Sequence, residues 1–513
     1  MVNDQQSGSI TIKTKSVNQK HPIEALRKVG QMKKQQFWII LVYILLSIVM
    51  IGCTAAATEI FPQETEQEMI AKPPVDEIEE VEEVSEDNDR LQDEEGISSE
   101  ARFTITADSV LQGPITELYE GFFEGETPVF VNADADLIAT RSISINTGRP
   151  TVEATFLPGF VLLPGSESLD VRRFINFAIS PEGQQVLIDA GELPAVISIT
   201  DQAGNSLEIQ QPLQRVISAF GPATSIVYSI GAKETLVAAS YTGAGDPQGA
   251  SVMERIDPRF PTLASDDFFS RQNFNIEEAA ILDPHLIIGS ARSSWLDVVD
   301  QLGISVFLMD AETPQQLQET VNLFGEMFGP HSSAQAQAWI EYYDFIITEI
   351  ADQMGDLSPE ERVKVLFTGT EPLRVASGDM YQTDMIEAAG GISVSADLLG
   401  FWNDVNLEQI AIWDPDIIIV PPYGGASVEA ITESTEWQIL TAVQNGRVYR
   451  MPRLVAPWDT PGPDSVMGIV WMVERLYPGL TAFSCESEAE YFYNTFLNYA
   501  ISGDEIAAIC LVE

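Results

Sequence analysis

The sequence predicts an α/β protein whose main body is two similar lobes, each built on a parallel sheet, and three observations carry this. The first is a pair of near-identical stretches, Asn275-Ile-Glu-Glu-Ala-Ala-Ile-Leu-Asp-Pro-His-Leu-Ile-Ile and Asn406-Leu-Glu-Gln-Ile-Ala-Ile-Trp-Asp-Pro-Asp-Ile-Ile-Ile. Each opens with an Asn suited to capping a helix, followed by acidic residues in the first turn, where the helix dipole favours negative charge. The second is the Asp-Pro in each copy, which stops the helix because the residue before proline is pushed out of the helical region. The third is the apolar, β-branched run that follows, Leu286 to Gly289 and Ile417 to Val420. Such runs suit strands buried on both faces. Two copies so far apart predict two lobes rather than one sheet.

The chain of 513 residues, 45% of them hydrophobic, is long enough for several domains with sizeable cores. A formal net charge of -50 argues against nucleic acid as a partner, since binding phosphate needs basic stripes. That charge is unevenly spread. Residues 54–100, which include Asp76-Glu-Ile-Glu-Glu-Val-Glu-Glu, are too acidic and too poor in apolar residues to bury a core, and read as a solvated linker.

Before the linker, Lys33 and Lys34 precede an uncharged run from Phe37 to Gly52 that ends at Cys53. Read from Met32, this is an export signal, so residues 1–53 form a signal segment whose true start is expected at Met32. Met50-Ile-Gly-Cys53 resembles a bacterial lipobox, with Cys53 the lipidated residue. The alternative is an uncleaved anchor, the run being slightly short of the roughly 20 residues that span a bilayer. Either reading places the remainder outside the cytoplasm, tethered to the cell membrane.

Three cysteines are present, and with Cys53 assigned to the lipobox, Cys485 and Cys510 remain as an even pair. In an oxidising compartment they bridge, contributing roughly 3 kcal/mol, or else they are two buried thiols. No cysteine has a metal-ligand spacing, and the only histidines are His21, His285 and His331. A bare metal ion needs several ligands converging on one point, so no metal site is expected.

Residues 101–195 return to globular composition. Phe174-Ile-Asn-Phe-Ala-Ile-Ser-Pro-Glu-Gly-Gln-Gln-Val-Leu187 reads as a helix, a capped break at Ser180-Pro181 and a second helix. The stretch resembles the closing part of molybdate- and phosphate-type extracellular solute-binding proteins. It is only about half the length such a two-lobed protein needs, which makes it a remnant or a single lobe with a packing or spacer role.

The main body opens on a hairpin, Ile199 to Ile209, and a strand, Arg215-Val-Ile-Ser-Ala-Phe220. Together with Ile230-Gly-Ala, the two Asp-Pro repeats, Ala389-Gly-Gly and Gly446-Arg-Val-Tyr449, these motifs resemble the binding proteins for iron-siderophores, haem and cobalamin that serve ABC importers. The resemblance covers roughly residues 196–480. It implies two Rossmann-like lobes, 196–330 and 357–480, joined by a long connecting helix at 331–356, with 481–513 left as a C-terminal helical extension. For the connecting segment, apolar residues at Ala336, Trp339, Ile340, Tyr343, Ile346, Ile347 and Ile350 fit a helix with one apolar face, which an ordinary core helix shares.

In open parallel sheets ligands bind at the loops beyond the strand carboxyl ends. The candidates are therefore Phe220, Tyr241, Arg292 and Trp295 from the first lobe, and Glu371, Tyr381, Trp402, Tyr423, Arg453 and Trp458 from the second. Flat aromatic walls suit a macrocycle or a catecholate chelate, and arginines pair with its negative charge. An axial Tyr381 or Tyr423 would serve haem.

The resemblance implies a monomeric receptor, with no resident cofactor, that passes a metal chelate or corrinoid to an ABC permease and its ATPase. It also implies an exposed Glu on each lobe for docking. The matching position in the first lobe is Ser225, and Asp464 is the substitute in the second. The rival readings are an exported chelatase-like enzyme, for which Asp379 and Glu371 are the acidic candidates, and a surface scaffold that has lost transport.

Overall fold

The computed structural model describes residues 104–510, except 108–111, 124–125, 131–136, 141, 144–151, 154–158, 163–168, 241–246, 264–273, 356 and 481–482. The signal segment, Cys53, the acidic linker and Tyr241 lie outside the described residues. Among the described residues no helix is long and apolar enough to cross a membrane.

The first body is built on β1 (Thr104–Ala107), β2 (Val129–Phe130), β3 (Leu137–Thr140) and β6 (Gly159–Leu162), with β4 (Ser142–Ile143) and β5 (Val152–Glu153) as a small separate pair. The sheet order is β2-β1-β3-β6, parallel except for β6. Helices Gln112–Phe122, Leu169–Ala178 and Pro181–Asp189 supply a core of its own around Tyr119, Phe174 and Leu187. At the Ser180-Pro181 break, the Ser180 hydroxyl accepts from the Gly183 N–H at 3.3 Å, capping the last of these helices.

This segment is seated on the main body through Gln184. Its amide Nε2 donates to the Phe328 carbonyl at 3.4 Å. A Cβ at Gly329, where φ is +95°, would stand 2.5 Å from the Gln184 amide oxygen, so only glycine satisfies both the backbone and the contact.

The main body starts with an antiparallel hairpin, β7 (Val196–Thr200) and β8 (Ser206–Gln210). Lobe 1 is a four-stranded parallel sheet in the order β10-β9-β11-β12, from β9 (Val216–Ser218), β10 (Leu236–Ala239), β11 (Leu286–Ser290) and β12 (Ser305–Met309). Lobe 2 repeats the plan in the order β15-β13-β17-β18, from β13 (Lys364–Phe367), β15 (Ile392–Ser393), β17 (Ile417–Val420) and β18 (Val448–Arg450). A short antiparallel pair, β14 (Arg374–Ala376) and β16 (Trp402–Asp404), is added at its rim.

The repeated stretches occupy the same place in each lobe. Asn275 accepts from the Glu278 N–H at 3.2 Å and Asn406 from the Gln409 N–H at 2.9 Å, each capping a helix. Asp283 and Asp414 end those helices in the left-handed conformation, at φ 46° and 40°. The chain then enters β11 or β17, each an inner strand of its sheet.

The lobes are joined by the 25-residue helix Pro330–Met354, whose buried face carries Trp339, Tyr343, Ile346 and Ile350. Trp339 Nε1 donates to the Pro463 carbonyl at 3.3 Å, tying the helix to lobe 2. The extension folds back over this junction as helices Cys485–Leu497 and Gly503–Cys510, with Cys485 and Cys510 disulfide-bonded. It touches all three parts. Tyr342 of the connecting helix donates to Glu488 at 2.9 Å, Arg255 of lobe 1 pairs with Glu505 at 2.6 Å, and Arg475 of lobe 2 donates to the Cys510 carbonyl at 2.6 Å.

Candidate functional site

The exit loops of β11 and β12 in lobe 1 lie opposite a loop of lobe 2. Arg292, just beyond β11, is exposed and holds Glu312 at 2.5 Å and also Asp310, both beyond β12. Burial pushes the Glu312 carboxyl upward, and the guanidinium partly offsets it. The same guanidinium sits 4.4 Å from the ring centroid of Phe401, which precedes β16. This cation–π contact joins the two lobes across the cleft.

Trp295 does not share that position. It is 4% exposed because it folds back on its own strand, its ring 4.8 Å from Phe274. A Cβ on Gly289 would stand 2.7 Å from Trp295 Cη2, so the glycine is what admits the ring. The expectation that Trp295 lines the cleft is corrected accordingly. Phe220 lies partly buried at the N-cap of the helix Gly221–Ser229.

In lobe 2, Trp402 on β16 and Tyr423 beyond β17 are partly buried. The Tyr423 hydroxyl donates to Asp459 Oδ2 at 2.6 Å. Asp459 is fully buried, its Oδ1 has no hydrogen-bond partner among the described residues, and burial pushes its carboxyl up to about 6 against the Tyr423 bond. Its backbone carbonyl accepts from Gln382 Nε2 at 2.9 Å. Arg453 is partly buried in a turn bridged to Pro457.

Three other candidates are core residues. Tyr381 is fully buried, 2.6 Å from Ser465 Oγ and 3.4 Å from the Tyr343 hydroxyl, and burial pushes its phenol up to about 12. A phenol held neutral with no access to solvent is no haem ligand in this conformation. Trp458 is fully buried and donates from Nε1 to Tyr493 at 3.1 Å, and Tyr493 in turn donates to Asp464 Oδ2 at 3.0 Å.

Asp464 is therefore not an exposed docking carboxylate. It is 3% exposed, and burial pushes its carboxyl up to about 7, more than the Tyr493 bond lowers it. Ser225 is 5% exposed, so that position offers no docking group either. Of the acids considered for an enzyme, both Glu371 and Asp379 are exposed, and Asp379 accepts from the Gly400 N–H at 2.7 Å. Among the described residues no group of three or more metal-ligating side chains converges.

Two features escape a reading of the sequence. Phe401, the ring under Arg292, sits in an apolar Leu399-Gly-Phe segment whose exposure, 78% for Leu399 and 47% for Phe401, is the signal that marks it. The other is a matched pair of cations. Arg215 Nε donates to the Asp283 carbonyl at 2.9 Å, and Lys364 Nζ donates to the Asp414 carbonyl at 2.8 Å. Each closes the carboxyl end of a repeat helix, where the dipole favours positive charge. A basic residue at the start of a buried strand, just before β9 or first in β13, is the pattern they share.

Two parallel-sheet lobes on a single connecting helix, with their exit loops opposed, define a two-lobed solute-binding protein. A family model described as Periplasmic binding protein matches residues 216–454, and this part of the chain is a domain of that family. The molybdate-binding protein MolA of Haemophilus influenzae is 30% identical over 130 residues, 25% of this chain and 37% of that protein. A vitamin B12-binding protein of Yersinia pestis is 26% identical over 250 residues, 48% of this chain and 78% of that protein.

Among solved structures, a periplasmic solute-binding protein of Veillonella parvula superposes with a TM-score of 0.54 at 26% identity, covering 62% of this chain and 97% of that one. Molybdate-bound MolA superposes at 0.53 with 20% identity over 60% of this chain and 99% of that one, a likeness of fold alone. These relatives are solute-binding proteins. The family is one of periplasmic binding proteins, which places the domain outside the cytoplasm.

Proposed function

We propose that the protein is a membrane-tethered lipoprotein receptor that captures an iron chelate, haem or a cobalamin-type corrinoid and delivers it to an ABC permease. The observation that carries the choice of ligand is Arg292. Its charge is already met by Asp310 and Glu312, and its face is covered by Phe401. A bare oxyanion such as the molybdate named for MolA would enter a locally acidic lip. A large complex with a flat apolar surface would instead meet Phe401, Trp402 and Tyr423, with Arg453 for its acidic groups.

Docking is assigned to the repeat helices in place of Asp464. Ile281 and Ile412 hold the same position in the two copies and are 75% and 77% exposed. Glu277, Glu278 and Glu408 are exposed in the first turns. Equivalent acidic and apolar groups, one set per lobe, suit a partner with two equivalent basic surfaces, as a permease dimer has.

The test is a fluorescence titration of the full chain with haem, cobalamin, a ferric siderophore and molybdate. Saturable binding of one of the first three below about 10 μM, near -7 kcal/mol, is the expected result. Binding of molybdate alone would replace the chelate reading, and chemical conversion of a bound ligand would favour an enzyme.

A further inference from the structure

A second cavity, of about 690 Å³, lies where the 101–195 segment, lobe 1, the connecting helix and the extension meet. None of the cleft loops lines it. Its walls come from the start of the helix Pro181–Asp189, the turn Gly231–Thr235, the first turns of the connecting helix and the end of the helix Cys485–Leu497. Its volume falls in the range of small-molecule sites, which favour such junctions between domains.

The chemistry of the wall is specific. The connecting helix is the longest described, and its N-cap, Gly329, has no side chain to bond the amides of the first turn. Those amides carry the positive end of the helix dipole. Ser332, in the same turn, is 3% exposed and lines the cavity, yet its hydroxyl has no hydrogen-bond partner among the described residues. The neighbouring His331 imidazole is likewise unpartnered among them and abuts Gly231, 3.0 Å from where a Cβ there would stand.

The one ammonium on the wall, Lys233, donates to the Ile256 carbonyl at 2.7 Å and forms no ion pair among the described residues. The one acid, Glu234, is paired with Arg259 at 2.9 Å. Acidic groups farther away than about 8 Å are screened at physiological salt, so the overall charge of -50 does not decide the local sign.

We propose that this cavity is a second ligand site, separate from the interlobe cleft, for a small anion bearing a carboxylate or phosphate group. The free amides of the connecting helix, the Ser332 hydroxyl and the His331 N–H donate to it, and Lys233 supplies charge. A bound anion would link the 101–195 segment to the hinge between the lobes.

The three histidines make the test direct. Full-length protein labelled only at histidine is titrated at pH 7.5 with orthophosphate and, separately, with citrate, sodium chloride balancing the ionic strength. The His331 ring signal is identified by its loss in His331→Gln. The expected result is a saturable shift of that signal with one of the two anions at or below about 1 mM, with His285 unmoved.

The two arms separate a phosphate site from a carboxylate site. Gln335→Glu, which puts a carboxylate on the cavity wall, is expected to weaken binding at least tenfold; should that variant fail to fold, Ser332→Ala is read in its place for a loss of threefold or more. A linear, unsaturated response, a chloride effect of equal size, or unchanged affinity in the folded variant would overturn the proposal.

Discussion

The two copies of the Asn-to-Asp-Pro stretch are alike in everything that builds a lobe and unlike in everything that follows it. Both are capped by asparagine, stopped by a left-handed aspartate, closed by a cation at the start of the neighbouring strand and led into a buried inner strand. Beyond the strand they part. In lobe 1 the loop turns Trp295 back into the core and leaves Arg292 at the lip, whereas in lobe 2 it presents Tyr423, held from behind by Asp459. Under the proposed function, scaffold and recognition are thus separable within a few residues.

The largest effect expected of this comparison is in the strands. Ile287 and Ile418 are equivalent and fully buried, so Ile287→Ala and Ile418→Ala should each cost about 2–5 kcal/mol in urea unfolding. A cost under about 1 kcal/mol for either would break the equivalence of the lobes.

A second test sharpens the difference at Asp464, whose match in lobe 1, Ser225, is buried but not ionisable. Its folded pKa, about 7, is raised by burial above the ordinary carboxylate value, so the fold favours the protonated form. Its contribution to stability is complete below about pH 4 and is lost as pH rises through about 7. Asp464→Asn should therefore stabilise the protein at pH 8, on the order of 2 kcal/mol, and have little effect at pH 4. An equal change at both pH values would contradict the assignment.

Smaller effects belong to the caps. Asn275→Ala and Asn406→Ala should each cost about 1 kcal/mol in the same unfolding assay, and unequal costs would show that one helix is held by other contacts. Smallest is the bridge between the lobes. Phe401→Ala removes a cation–π contact worth about 0.5–1 kcal/mol, an effect visible as faster ligand release more than as lost stability.

What the sequence made legible was the part governed by local physics. Periodicity, an Asn at the start and Asp-Pro at the end sufficed to locate the repeat helices and the strands after them. The small segment's capped break at Ser180-Pro181 was legible for the same reason. Side-chain direction after a strand was not, because it depends on partners distant in the chain. Trp295 is buried since Gly289 makes room and Phe274 stacks beside it, and Trp458 and Asp464 are buried by Tyr493 of the extension. An aromatic at a strand exit looks the same in sequence whether it faces a ligand or a core.

The central claim is that the exit loops recognise the ligand while the repeats only carry them. It is tested by the dissociation constant of whichever titrated compound binds best, for Tyr423→Ala and Trp402→Ala against Ile287→Val, a mild change in the scaffold. The account predicts a loss of tenfold or more, at least 1.4 kcal/mol, for each loop variant and a change under twofold for the strand variant. Equal losses in all three, or none in the loop variants, would contradict it.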